Sequence, residues 1–234
     1  MNYISIWNKD LDKTKMNKQN FKQVETDILI IGAGITGLTT AYLLKDTNHK
    51  ITIIDKGKIV NGITLKTTAK ISYLQQDIYR KLTKMHGEHT SKLYYDSQKE
   101  AINIITKIIK DNNINCNLEK VESILLAKED KNISKLEEER KILTSYGEKI
   151  VDYQNKDIKH GFKTYNNYTF NPIKYLNGLR DIIKDKVDIY ENTLATNIKK
   201  DNNKYLITIA VLSTAILMLM LFLLILFNRI KHIK

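Results

Sequence analysis

TDILIIGAGITGLTTAYLLKDTNHKITIIDK, residues 26–56 of the 234-residue chain, carries the signals that set the architecture. Asp27 to Ile31 is a short, apolar, β-branched run, the composition of a strand buried on both faces of a parallel sheet. Gly32-Ala-Gly-Ile-Thr-Gly37 follows at once. Leu38 to Lys45 then reads as a helix with Leu38, Ala41, Leu43 and Leu44 on its apolar side. A second buried strand, Lys50 to Ile54, ends in Asp55. The order strand, glycine loop, helix, strand, acid is that of a dinucleotide-binding βαβ unit.

Each residue has a physical task in that reading. Gly32 permits the tight turn out of the strand, Gly34 lets the backbone approach a pyrophosphate, and Gly37 lets helix and strand pack closely. The helix N-terminus offers unpaired N–H groups and about half a positive charge to phosphate. Asp55 stands where a carboxylate would accept the ribose hydroxyls. The acid argues against a 2′-phosphate and hence against NADP. It does not separate NAD from FAD. Glycine-rich turns also arise by chance, so the loop owes its specificity to the elements around it.

The residues after Asp55 narrow the choice. With the loop, Gly62-Ile-Thr-Leu-Lys-Thr-Thr-Ala-Lys70, Asn171-Pro-Ile-Lys-Tyr175, Gly178-Leu179 and Glu191-Asn-Thr193 resemble the N-terminal part of FAD-dependent oxidoreductases of the D-amino-acid oxidase-like superfamily. The resemblance covers roughly residues 5 to 205. It is strongest to a bacterial subgroup that opens with a Trp-containing leader, here Ser5-Ile-Trp7, and many of whose members end in a Rieske-type domain. It implies an α/β fold, a Rossmann-like FAD-binding domain with an inserted, incomplete α+β substrate domain. It also implies FAD as cofactor and an amine or amino acid as substrate. By position, Thr67, Thr68 and Ala69 would contact the flavin and its phosphates, and Ala195 the adenine. Thr36 and Lys56 complete the expected cofactor set. Asp55 replaces the family's more common Glu.

The expected organisation is a polar leader over 1–24, an FAD-binding segment over 25–80 and a partial substrate domain over 81–186. Return strands follow over 187–205, then a transmembrane helix over 206–228 and a basic tail over 229–234. Within the middle, His86 to Lys110 reads as an amphipathic helix with Leu93, Ala101, Ile104, Ile105 and Ile108 on one face. Val121 to Ala127 reads as a strand and Ile133 to Tyr146 as a second helix. Pro172 fits the first turn of a third helix.

Other chemistry finds little support. One cysteine, Cys116, excludes a disulfide framework and a thiolate zinc site. The net charge is +12, but 34 Lys stand against only 4 Arg. Scattered lysines without Arg forks do not describe a nucleic-acid reader. His86 and His89 sit one helical turn apart without a third ligand, so no metal site is expected. Glu137-Glu-Glu139 reads as a solvated helix face. No catalytic acid, base or nucleophile can be named, and flavin oxidations need few, because the cofactor carries the chemistry.

From Leu206 to Phe227 the chain holds 22 residues without a charge. As a helix that run would reach ~33 Å, enough for a bilayer core of ~30 Å. The sequence alone therefore predicts a single-pass membrane protein with its FAD-binding part in the cytoplasm. The run begins inside the return strand of a predicted hairpin, Leu194–Lys199 and Lys204–Thr208. That local conflict suggests that family sequence stops near Thr208, leaving a truncated oxidoreductase of doubtful activity. The alternatives are a membrane-anchored, non-catalytic nucleotide-binding or interaction protein, and an NAD-dependent enzyme.

Overall fold

The structure, a computed structural model, describes residues 5–11, 23–60, 62–154, 158 and 160–211. In chain order the main elements are β1 (Ile28–Ile31), α1 (Ile35–Leu44), β2 (Ile51–Ile54), β3 (Lys70–Ile71), α2 (Ile78–Asp111), β4 (Glu119–Ala127), α3 (Ile133–Ser145), β5 (Ile150–Asp152), β6 (His160–Thr169), α4 (Pro172–Ile183), β7 (Asp188–Tyr190), β8 (Thr193–Asp201) and β9 (Lys204–Val211). They form two compact units, Met1–Lys66 with Leu176–Lys234, and Thr67–Tyr175.

The first unit is built on a parallel sheet in the order β1-β2-β7. β2 is central, and all four of its residues are buried. Ile28 pairs with Ile51 and Ile31 with Ile54 on one side, while Thr52 pairs with Asp188 and Ile54 with Tyr190 on the other. This is why Ile51-Thr-Ile-Ile54 reads as a continuous β-branched run rather than an alternating one. α1 is the crossover and buries Leu38 and Ala41 completely. Burying a Leu or Ile side chain of this kind contributes about 1.5–3 kcal/mol.

β8 and β9 form the expected hairpin, antiparallel from Thr193↔Val211 to Asp201↔Lys204 with an irregularity between Ala195 and Asn197. Asn202 turns the chain at φ +52°, a left-handed conformation that Asn tolerates better than most residues.

The hairpin corrects the membrane reading. Residues 206–211, expected as the start of a transmembrane helix, lie in β9 and pair with β8 across Lys199↔Leu206 and Leu194↔Ala210. A short apolar run fits a strand or a helix equally well, and here cross-strand pairing settles the choice. Residues 212–228, the rest of that predicted span, and the tail 229–234 lie outside the described residues. Among the described residues no helix is long and apolar enough to cross a membrane. The single-pass membrane location and membrane partner inferred from the sequence therefore fall.

The second unit is an antiparallel sheet in which β6 pairs with β3, β4 and β5. β6 was missed in the sequence, and Tyr165-Asn-Asn-Tyr168 lies within it. Asn166 sits at φ +61°, and the β4–β6 register shifts between Val121 and Ser123, so β6 accommodates the irregularity without ending. Buried Asn167 joins it to β3's neighbour Ser72, whose Oγ donates to Asn167 Oδ1 at 2.8 Å. At the start of α4, Asn171 Oδ1 accepts the N–H groups of Ile173 and Lys174, both at 3.1 Å. That is an N-cap ahead of a first-turn proline.

α2 begins eight residues before the predicted His86 and bends at Gly87, whose φ of +82° is non-helical. Its predicted apolar face is also corrected in part. Ile108 is buried and Ile105 half-buried as expected, but Leu93, Ala101 and Ile104 are exposed, whereas Ser91, Tyr95, Ile102, Thr106 and Ile109 are buried. The buried stripe keeps helical spacing but uses Tyr, Ser and Thr beside Ile108, so a count of aliphatic residues alone placed the face only in part. Tyr95 donates to Glu148 Oε2 at 2.5 Å, and its ring meets that of Tyr73 edge-on at 5.7 Å.

Glu139, expected on a solvated face of α3, is fully buried. Its carboxylate accepts the N–H groups of Tyr79 at 3.2 Å and Arg80 at 2.6 Å, in the first turn of α2. It supplies from a distant element the cap that α2 lacks locally. Burial pushes its pKa up from 4.5 to about 7, against the lowering effect of the two N–H groups. A carboxyl raised in the fold adds stability that is complete below its unfolded value and is lost as pH rises through its folded value. The melting temperature should therefore fall between pH 5 and pH 8. Glu139→Gln should flatten that slope in thermal scans at fixed ionic strength. An unchanged slope in the variant would assign the pH dependence to other groups.

Candidate cofactor-binding site

The glycine loop runs from the end of β1 into α1. Gly32 donates its N–H to Ile54 O at 2.8 Å and turns at φ +109°, a conformation that L-residues with a Cβ rarely adopt. Gly37 lies on the first turn of α1 directly over that turn. A Cβ on Gly37 would come within 1.8 Å of Gly32 O and 3.2 Å of Ile30 Cγ2. Gly37 is thus glycine because the chain itself occupies the space.

Gly34 differs. As the N-cap of α1 its φ of −86° and ψ of −165° are open to any residue, and it offers no side-chain cap. A Cβ there would meet nothing closer than Thr64 Oγ1 at 3.7 Å, an ordinary contact. Neither backbone conformation nor packing within the described residues calls for glycine at 34. Glycine at 34 leaves the backbone at the N-terminus of α1 open to close approach. Thr36, one step further on, is exposed.

Asp55 closes the other side. Its Oδ2 accepts the N–H of Ala33 at 2.7 Å, and its Oδ1 accepts the N–H of Gly57 at 2.7 Å. The carboxylate therefore clips the end of β2 to the glycine loop. Each oxygen retains a further lone pair, so two hydroxyl donors can still be accommodated. Backbone bonds extend the arrangement, with Asp55 N–H donating to Tyr190 O at 3.0 Å and Thr193 N–H to Asp55 O at 2.6 Å. Ala195 follows two residues later in β8, half-buried, and Lys56 is exposed beside Asp55.

Loop residues after Asp55 are held under strain. Val60 is buried at φ +69°, an outlier for a β-branched residue that costs on the order of 1–3 kcal/mol. Thr64 is buried beside Gly34, and the leader reaches this loop, where Ser5 Oγ donates to Leu65 O. Neither contact was foreseen, since nothing in the spacing links residues 5, 34 and 64.

Thr67, Thr68 and Ala69 belong to the second unit. There Thr67 Oγ1 accepts the N–H of Ala69 at 3.2 Å, and Ala69 turns at φ +57°. Thr68 is exposed and Ala69 buried. Gly32, Gly34, Gly37 and Asp55 are thus gathered in one cluster of the first unit, with Thr36, Lys56 and Ala195 at its margins, whereas Thr67 to Ala69 form a turn of their own. His86 and His89 are exposed on α2, and Cys116 is buried. Among the described residues no group of three or more His, Cys, Asp or Glu side chains could hold a metal ion.

A parallel βαβ unit with this loop and acid defines a dinucleotide-binding α/β protein. Residues 27–215 match the family of FAD dependent oxidoreductases, DAO, and the chain belongs to that family. The match ends at residue 215, seven residues beyond Thr208. A Bacillus subtilis (strain 168) protein named for a Rieske 2Fe-2S iron-sulfur group, YhfW, is 31% identical over 192 residues, which are 80% of this chain and 38% of that protein. Gamma-glutamylputrescine oxidoreductase of Escherichia coli (strain K12) is 23% identical over 131 residues, 56% of this chain and 30% of that one. Among solved structures, glycine oxidase from Geobacillus kaustophilus matches with a TM-score of 0.62 at 14% identity, over 79% of this chain and 51% of that one. The chain therefore spans about half, or less, of the lengths of these proteins.

Proposed function

We propose that this chain carries the ADP-binding half of the FAD site of an oxidoreductase acting on amines or amino acids. Gly34 carries the reading, because its missing side chain serves neither the backbone nor the packing and sits at the N-terminus of α1. In this reading Gly32, Gly34, Thr36 and Gly37 hold the pyrophosphate. Asp55 accepts from the ribose hydroxyls, with Lys56 beside it and Ala195 toward the adenine. Thr67, Thr68 and Ala69 attend the flavin end. Bound FAD would supply the two-electron oxidation. The chain's own residues orient it, and α1 offsets the phosphate charge. The names of the relatives support the substrate class, one being an oxidoreductase of gamma-glutamylputrescine and another a glycine oxidase.

The test is the visible spectrum of the purified chain, followed by denaturation and identification of the released cofactor. One equivalent of FAD, or its recovery on adding FAD to the folded apoprotein, is the expected result. A folded chain that neither retains nor takes up FAD at millimolar concentration overturns the reading. If flavin is bound, amines and amino acids should bleach it anaerobically.

A further inference from the structure

Glu191 stands at the end of β7, and its Oε1 accepts the N–H of Ile59 at 2.8 Å across 132 residues of sequence. The next two residues continue the seam, with Asn192 N–H donating to Gly57 O at 2.9 Å and Thr193 N–H to Asp55 O at 2.6 Å. Asn192 does so at φ +52°. Ile59 immediately precedes the strained, buried Val60, and strain persists only where neighbouring structure over-determines it. Gly57, whose N–H holds Asp55 Oδ1, lies inside the same clamped loop. The path from Glu191 to the Asp55 carboxylate is therefore two residues of backbone pinned at both ends.

We propose that Glu191 is a positioning residue for the nucleotide site, fixing the Asp55–Val60 loop so that the Asp55 carboxylate is preset for two ribose hydroxyls. It touches no cofactor itself. The inference rests on the FAD reading above, and wild-type binding separates the two: if the wild-type chain takes no FAD, that reading fails first.

The experiment is a double-mutant cycle on the full chain, read by FAD titration and by apoprotein melting. Glu191→Ala should weaken FAD about tenfold, and Glu191→Gln, which keeps an acceptor oxygen, should stay within about threefold of wild type. In an Asp55→Ala background, Glu191→Ala should cost nothing further, because its effect passes through that carboxylate. The same cycle with ADP and 2′,3′-dideoxy-ADP as ligands gives a second readout, and the loss should appear only with ADP. A general structural role predicts otherwise: equal losses with both ligands and in both backgrounds, tracking a lower apoprotein melting temperature. That pattern, or wild-type affinity in Glu191→Ala, overturns the proposal. If Glu191→Ala does not fold, Glu191→Gln with the ligand pair decides it, since a charge-dependent structural role would lower its melting temperature and its affinity for both ligands alike.

Discussion

Gly37→Ala should lower the stability of the chain by on the order of 3 kcal/mol or more. The added methyl would stand 1.8 Å from Gly32 O and 3.0 Å from Gly32 C, and both are backbone atoms that cannot rotate away. Relief would require moving α1 off the sheet or unwinding the turn at Gly32. The first option exposes Leu38 and Ala41, both fully buried. The second breaks the 2.8 Å bond from Gly32 N–H to Ile54 O. Either costs more than the roughly 1 kcal/mol that alanine would otherwise gain over glycine within a helix. Gly62→Ala is the control, because a Cβ there meets nothing within 4 Å and should change stability by no more than about 0.5 kcal/mol. Urea unfolding of the two apoproteins compares them directly. Equal midpoints would mean that α1 and β1 do not pack at this distance in solution.

That Gly37 is glycine was readable from the motif, but its partner was not. The βαβ unit was legible because its apolar runs are short, β-branched and punctuated by glycine. The acid was legible because its distance from the loop follows from the length of one helix and one strand. What escaped were the features set by long-range contacts. Glu139 looked like a surface acid among Glu137, Glu138 and Arg140. It is buried because the first turn of α2, about sixty residues earlier, needs acceptors. Glu191 stood in a matching stretch without a role, since its bond to Ile59 N–H spans 132 residues. The face of α2 was assigned only in part, Ile108 being buried as expected, because Tyr95 and Thr106 fill core positions that an aliphatic count passes over. The apolar end of the chain misled for a different reason. Hydropathy measures preference for an apolar phase and is blind to whether the backbone hydrogen bonds go along a helix or across a hairpin. Residues 206–211 satisfy theirs across the hairpin.

Gly34→Ser should act in the opposite manner to Gly37→Ala. Serine is at least as good an N-cap as glycine, and the backbone at 34 suits it. Its Cβ would have Thr64 Oγ1 at 3.7 Å as nearest neighbour, so the apoprotein should melt within a degree or two of wild type. FAD affinity should fall about 100-fold, or ~2.7 kcal/mol, because the new side chain fills space that a pyrophosphate needs beside the α1 N–H groups. The two variants thus separate the two meanings of a glycine in one loop. Gly37 is excluded from having a side chain by the protein, and on the proposed reading Gly34 by the nucleotide. Titration of FAD into apoprotein, with circular dichroism to show that the fold is kept, measures the difference. Undiminished affinity in Gly34→Ser would mean that no phosphate approaches the backbone at residue 34, and the nucleotide would have to be placed elsewhere on the first unit.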